Sequence, residues 1–522
     1  MHEHDALGSD APVHPMSDRL VIGLDSSTQG TKAIAWDRTG RAVAEGRAAI
    51  AMSSPRLDWY EQEPEHWWQA AAEALSACVA QVDADRIDGL AISNQRETLG
   101  FFDADGQSVR PAILWLDGRA RAQVSAFSER FGAERIHAIT GRPPDLTPCL
   151  YTWPWLAENE PKAFQRTAMF ADVQAVLVQR LCGGPWRTGR MSADPMGIVD
   201  MRSMRWSAEL LEAIGIDETR LPSLHAPGER LGVLTETSAK ATGLMGGMPV
   251  FAAGGDGQLA GLGTDCTRPD RAYVNLGTAV VSGIWSREYQ YDTAWRTELA
   301  GQGGYILETC LRSGAFLVDW FVDQFVAHGR ADDDTFSELE RRAAALPIGS
   351  EGLLLQPYFS GAMDPHWDID ARGVLLGLSG GHDAAHIYRA IIEGITLDLV
   401  ASIDDLERAS GQRVDHFVAI GGGARSRLWR QMLADASGRP VHISQTVEAS
   451  ALGAGMLAAF GAGWYDSVEA AAGAMASATE AVEPDRQRHA RYAELLAMHR
   501  DLYAATRDLN HRMVAFAAAN RE

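Results

Sequence analysis

Cysteine is scarce in this sequence: Cys78, Cys149, Cys182, Cys266 and Cys310 are spread over 522 residues. Their odd number and wide spacing offer neither a zinc ligand set nor a disulfide framework, so a reducing, cytoplasmic setting is expected. Positive charge is also in short supply, with 47 basic residues against 69 acidic ones and a formal charge of −22. A field of that sign argues against nucleic acid or an anionic membrane as the main partner, because both would be repelled. No apolar run reaches the length of about 18 residues that a membrane helix needs. The first eighteen residues lack the apolar centre of a signal peptide, so 1–18 are expected to form a disordered leader in which His2, His4 and His14 are solvated. Small molecules are left as the partners, with a homodimer an open option.

What the sequence does have is bulk. With 46% hydrophobic residues it can build two cored domains rather than one, and two domains imply a cleft. The expected division is 19–259 and 260–522, with a Pro/Gly-rich hinge over 245–263. Leu20–Leu24 reads as a buried strand and Thr31–Trp36 as its hairpin partner across a Ser/Thr/Gly turn, with a third strand following. Pro64 opens a helix whose Trp67, Trp68, Ala71, Leu75, Cys78 and Val82 recur at helical spacing, predicting one face packed on a sheet. "IDGLAISNQRE" is an apolar strand ending in amides and charges, and ligands collect at strand ends in open sheets. "AYVNLGTAVVSGIW", Ala272–Trp285, repeats the opening strand–turn–strand theme, which predicts an internal duplication. A later strand and glycine turn, "HFVAIGGGAR", leads into an amphipathic helix. "ASALGAGMLAAF" then reads as a helix whose small residues permit close packing.

Three turns therefore carry glycine or hydroxyl residues after a strand: Asp25–Thr31, Leu276–Thr278 and Gly421–Ala424. Such turns aim backbone N–H groups at anions, glycine allowing close approach. Neither a Rossmann nor a Walker fingerprint accompanies them, and "GGGAR" stands too late in the chain for a nicotinamide site. Asp25 in the first turn would repel a phosphate unless a cation intervened. Magnesium resolves that conflict, since it commonly takes one or two carboxylates plus phosphate oxygens. Asp256 in "FAAGGDGQLAGLG" has glycine on both sides, which is read as room for a substrate hydroxyl to approach a general base. For both acids, capping of their own turn is the competing explanation.

These stretches resemble the FGGY carbohydrate kinases. The resemblance runs from about Leu20 to about Tyr465 and is most specific in "GVLLGLSGGHDAAHIYRAIIE", Gly373–Glu393, while "IGGGARSRLWRQMLADASGRPV" is similar to the adenosine segment of xylulokinases. It implies an α/β fold of two actin-like (ribonuclease-H-type) domains around a central cleft, with ATP and Mg2+ as cofactors. Residue by residue it implies that Asp25 holds magnesium, Thr28 and Lys32 contact phosphates, and Gly277 and Thr278 hold them from the other domain. Gly422 and Gly423 would back the adenosine, and Asp256 would be the base.

On the sugar side the pattern is mixed. Xylulokinases carry Met-His after "GQ" at this strand end, whereas "SNQRET" supplies Asn94, Gln95, Arg96 and Glu97 as glycerol kinases do. Against glycerol, Thr147 stands where those enzymes place a tyrosine, and "GDGQ" replaces "GDQQ". Thr152 takes the position of the lysine in the N-terminal signature. Arg96 and Glu97 are read as a pair that grips vicinal hydroxyls, the competing reading being a surface ion pair. Trp115 would cover a carbon chain or belong to the core, and Asp117 and Arg119 would buttress the strand end. The expected activity is ATP-dependent phosphorylation of a primary hydroxyl of a ketose or polyol, led by a pentulose such as xylulose. A glycerol or other polyol kinase, or a nucleotide-operated switch ATPase of the same fold, stands as the alternative.

Overall fold

The computed structural model describes residues 18–329, 332–478 and 481–520, so the expected leader lies outside the described residues except for Asp18. The first large sheet contains β1 (Leu20–Ser26), β2 (Gly30–Trp36), β3 (Ala42–Ala49), β4 (Ile87–Asn94), β5 (Arg230–Val233) and β6 (Pro249–Phe251). Its spatial order is β5-β6-β4-β1-β2-β3. The second contains β7 (Arg271–Leu276), β8 (Val280–Ser286), β9 (Arg296–Leu299), β10 (Tyr305–Leu311), β11 (His416–Ile420) and β12 (Val441–Ile443), in the order β9-β10-β8-β7-β11-β12. In each sheet the opening strand pairs antiparallel with the next strand and parallel with one that returns later: β1 with β2 and β4, β7 with β8 and β11. The sequence repeat is thus a structural repeat.

Helix α1 (Pro64–Val79) starts at a proline, whose missing N–H costs nothing at a helix N-terminus. It lays Trp67, Ala71, Leu75 and Cys78 on the first sheet, while Trp68 is only half-buried and Val82 lies beyond the helix. Helix α2 (Asp256–Gly263) follows β6 after four residues. The second sheet is covered by α3 (Ala384–Ser410) and α4 (Arg427–Ser437). Helix α5 (Ala449–Gly461) comes next, and α6 (Arg486–Ala519) closes the fold. Among the described residues no helix is long and apolar enough to cross a membrane.

The small residues of α5 have a definite use. A Cβ on Gly453 would lie 2.1 Å from the Leu259 carbonyl oxygen, one on Gly263 2.1 Å from that of Ala449, and one on Gly23 1.8 Å from that of Ala451. Helix α5 is therefore in backbone contact with both α2 and β1. Its Ala451, Leu452 and Met456 share a core with Val21, Trp36 and Phe251 of the first sheet. The boundary expected at Leu259 falls inside α2, and the hinge expected over 245–263 is instead a sheet strand followed by a helix. Gly254, Gly261 and Gly263 there serve close packing, while Gly247, at φ 80° with open space beside it, turns the chain, a difference composition alone does not show.

Candidate active site

The register of the first sheet sets the site. Asp25 near the end of β1 pairs across the ladder with Lys32 on β2 and with Ser93 on β4. The Ser93 hydroxyl donates to Asp25 Oδ1 at 2.7 Å. On the far side of β4, Asn94 bridges to Gly255, which brings the strand end beside the first residue of α2, Asp256. Burial first, and the like charge of Asp256 second, push the Asp25 carboxyl up to about 6. Burial also raises Asp256, against the pull of Arg96, while 40% of its side chain stays open. Two repelling carboxylates, one of them reachable, are suited to a shared cation and a proton acceptor. Among the described residues there is no cluster of three or more His, Cys, Asp or Glu that could hold a metal ion, so a cation here would complete its shell with water or phosphate oxygens.

The four residues at the end of β4 are placed very differently from one another. Asn94 accepts from the Ser192 hydroxyl at 2.9 Å and donates to the Gln95 carbonyl at 2.9 Å. Gln95 donates to Gln62 at 3.0 Å, and both amides are buried. Arg96 points at the second sheet: its Nη1 meets Glu298 at 2.5 Å and Glu308 at 3.0 Å, and its Nε lies 3.3 Å from Asp256. Glu97, at a positive φ of 57°, pairs instead with Arg142 at 2.8 Å. Arg96 and Glu97 are thus not a surface ion pair. They are two corners of a buried network that also contains Arg296, whose Nε donates to Glu308 at 2.7 Å. Burial opposes the charge of Arg96, but Glu298 and Glu308 more than restore it. Burial likewise opposes ionisation of Glu308, yet Arg96 and Arg296 draw its carboxyl down to about 2.

This network corrects one sequence expectation. The space beside the glycines flanking Asp256 is not left for substrate. A Cβ on Gly255 would sit 2.4 Å from Arg96 Cγ, and one on Gly257 would sit 2.7 Å from its Nη2 and 2.9 Å from Glu308 Oε2. Glycine is needed there because the guanidinium passes alongside the α2 N-terminus.

The three turns expected to bind anions are also located. In the first, Thr28 accepts from Trp115 Nε1 at its hydroxyl, 3.0 Å, and from Gln62 at its carbonyl, 2.7 Å, so half-buried Trp115 braces the turn. Lys32 Nζ is held by Glu448 at 2.7 Å, just before α5. The second and third turns adjoin, because β7 and β11 are parallel neighbours. Gly421, with φ 84°, packs on Asn275 and Leu276, Gly422 faces open space, and Gly423 abuts Trp429. Gly277 and Thr278 are tied to the next segment through Ala315 N and Gly314 N, at 2.8 and 2.9 Å. Asp117 and Arg119 do buttress the strand end: they form a bidentate pair, and Asp117 accepts from Tyr60 N at 2.7 Å.

Sequence reasoning missed Glu298, Glu308, Arg296 and Arg142. A signal was present: "RTEL" and "YILETCL" place charges inside otherwise apolar strands, and Arg296 is the ladder partner of Glu308. Charges in such positions are seldom buried unless paired.

Against known proteins, residues 20–263 match the model of the FGGY family of carbohydrate kinases, N-terminal domain, and residues 272–462 match that of the C-terminal domain. The xylulose kinase of Bacillus subtilis (strain 168) is 32% identical over 507 residues, covering 95% of this chain and 99% of that one. A glycerol kinase of Aromatoleum aromaticum is 31% identical over 469 residues, covering 86% and 91%. Among solved structures, the xylulose kinase of Rhodospirillum rubrum superposes with a TM-score of 0.86 at 27% identity, covering 94% of this chain and 100% of that chain.

Proposed function

Because this chain belongs to the FGGY family of carbohydrate kinases, we propose that it transfers the γ-phosphoryl group of ATP to a primary hydroxyl of a ketose or polyol, with a pentulose such as xylulose as the leading acceptor. The observation that carries this reading is the pair Asp25 and Asp256, close enough to repel and contributed by different elements, with Asp256 open at the N-terminus of α2. Asp256, its proton affinity raised by burial, takes the proton of the attacking hydroxyl. The freed oxygen bonds to the γ-phosphorus as the bond to the bridging oxygen of ADP breaks. Arg96, fixed by Glu298 and Glu308, keeps the Asp256 carboxylate in place through its Nε. Asp25 would hold magnesium, which when bound neutralises charge on the phosphate oxygens. Thr28, Lys32, Gly277 and Thr278 are the proposed phosphate contacts, and Gly422 and Gly423 back the adenosine. Their support is the N–H-rich turn geometry and the open space at Gly422.

The xylulose kinase relatives cover nearly the whole chain, and Thr147, where glycerol kinases place a tyrosine, offers the Glu97 carboxylate a hydroxyl at 3.1 Å in place of a phenol. A glycerol kinase reading is favoured by "SNQRET" and by the Aromatoleum relative. The switch ATPase finds no support among these relatives. The test is ADP release coupled to product detection across D-xylulose, L-xylulose, D-ribulose, L-ribulose, erythritol, ribitol and glycerol, with and without magnesium. One strong magnesium-dependent ketose response is expected, and it should vanish in Asp256→Asn with ATP binding retained. A response to glycerol alone would replace the pentulose reading, and wild-type turnover in Asp256→Asn would remove the base assignment.

A further inference from the structure

One buried chain of contacts runs from the sugar end of the site to the phosphate turn. Thr147 Oγ1 lies 3.1 Å from Glu97 Oε1 and 3.2 Å from Asp145 Oδ2. A hydroxyl has a single proton, so it serves one of these carboxylates at a time. Both oxygens of Asp145 accept from Arg312 Nη2, at 2.6 and 2.5 Å, and only 5% of the Asp145 side chain and 15% of the Arg312 side chain are exposed. Asp145 belongs to the first half of the chain, whereas Arg312 directly follows β10 of the second sheet. Two residues on, Gly314 N and Ala315 N bond the carbonyls of Thr278 and Gly277. A Cβ on Gly314 would meet Val280 N at 2.7 Å and the Gly277 carbonyl oxygen at 2.8 Å, so this segment lies in backbone contact with the turn. Between them the Ser313 hydroxyl is fully buried with no hydrogen-bond partner, an unspent donor beside the turn.

We propose that Asp145 and Arg312 are positioning residues that couple occupation of the sugar end to the geometry of the Gly277–Thr278 turn, so that ATP reacts with sugar in preference to water. An acceptor hydroxyl donating to Glu97 frees the Thr147 proton for Asp145, which changes the seat of Arg312 and, through residues 313–315, the phosphate turn. The inference rests on the kinase reading, since it needs a sugar at Glu97 and a phosphate at Gly277.

The test uses the full chain and the sugar that the wild type phosphorylates. Affinity for a non-hydrolysable ATP analogue is measured by calorimetry with and without that sugar, alongside the ratio of ADP released to sugar phosphate formed. In the wild type the sugar should tighten nucleotide binding by about 5-fold or more, the usual lower range of coupling between sites. Asp145→Asn, similar in size but uncharged, should abolish that tightening and raise ADP release in the absence of sugar. Arg312→Lys, which keeps the charge but loses the planar fork, should fall between. It is the variant to read if Asp145→Asn does not fold. A folded variant that keeps full tightening and one ADP per product overturns the inference, as does a wild type with no tightening. A wild type that phosphorylates none of the sugars defeats the kinase reading itself, before any variant is made.

Discussion

Two seams join the halves of this molecule, and they are built on opposite principles. Where α5 meets α2 and β1 the seam is dry: Gly23, Gly263 and Gly453 let backbones touch, and no side chain larger than hydrogen fits. Beyond the end of β4 the seam is ionic, with Arg96 and Arg142 of the first half reaching Glu298 and Glu308 of the second. The dry seam has one arrangement, because packed backbones have no alternative partners. The ionic seam has several, since each guanidinium offers five donors and each carboxylate can accept from more than one of them. A rigid joint and an exchangeable one, side by side, are what a kinase needs if its halves are to stay assembled while its cleft responds to ligands.

The comparison breaks most severely at Arg96. In Arg96→Met, Glu298 and Glu308, both at 0% exposure, lose one of the two guanidiniums they share, Arg296 remaining as the other, and stability should fall by up to about 3–5 kcal/mol. Calorimetric Tm checks this, and pH sharpens it. Glu308 is drawn below its ordinary value in the fold, so its contribution is complete above pH 4.5 and is lost as pH falls towards about 2. The deficit of Arg96→Met should therefore be full at pH 8 and smaller at pH 4, and an equal deficit at both would take the carboxylates out of the explanation.

The dry seam comes next. Gly453→Ala drives a methyl into the Leu259 carbonyl, and a loss of roughly 1–3 kcal/mol is expected, with no pH dependence to match. An unchanged Tm would mean that α5 can shift and is not a rigid joint. Lys32→Ala removes a partly exposed pair with Glu448 worth about 0.2–1 kcal/mol, so the Tm should scarcely move. The KM for ATP should nevertheless rise several-fold if Lys32 reaches phosphate in the working enzyme. Arg47→Ala, which breaks the more exposed pair to the same Glu448, should stay within about 0.5 kcal/mol and leave the ATP dependence unaltered.

Much of this architecture is legible in the sequence where the determinants are local. The β1–β2 hairpin, its repeat at β7–β8 and helix α1 each follow from short-range apolar patterning and from a proline or glycine at the correct place. Asp25 and Asp256 stand out for the same reason, as lone acids among small residues at strand ends. The partners of Arg96 do not, because Glu298 and Glu308 lie some 200 residues away and only β-sheet register brings them in. Helix α5 is readable as a close-packing helix but not as the partner of β1 and α2 in the first half, since small residues announce contact without naming the partner. Glycines around Asp256 announced close approach in the same way, and the visitor proved to be Arg96.

The position of α5 also orders the life of the chain before it becomes an enzyme. The face of β1 beneath Gly23 is covered by residues 449–461, which leave the ribosome long after β1 itself. The nascent first half consequently carries an open apolar flank, around Val21, Trp36 and Phe251, throughout synthesis of nearly the entire second half. A fragment ending at Gly263 would keep that flank permanently, so the amino-terminal half should aggregate alone and recover solubility when α5 is supplied to it in trans.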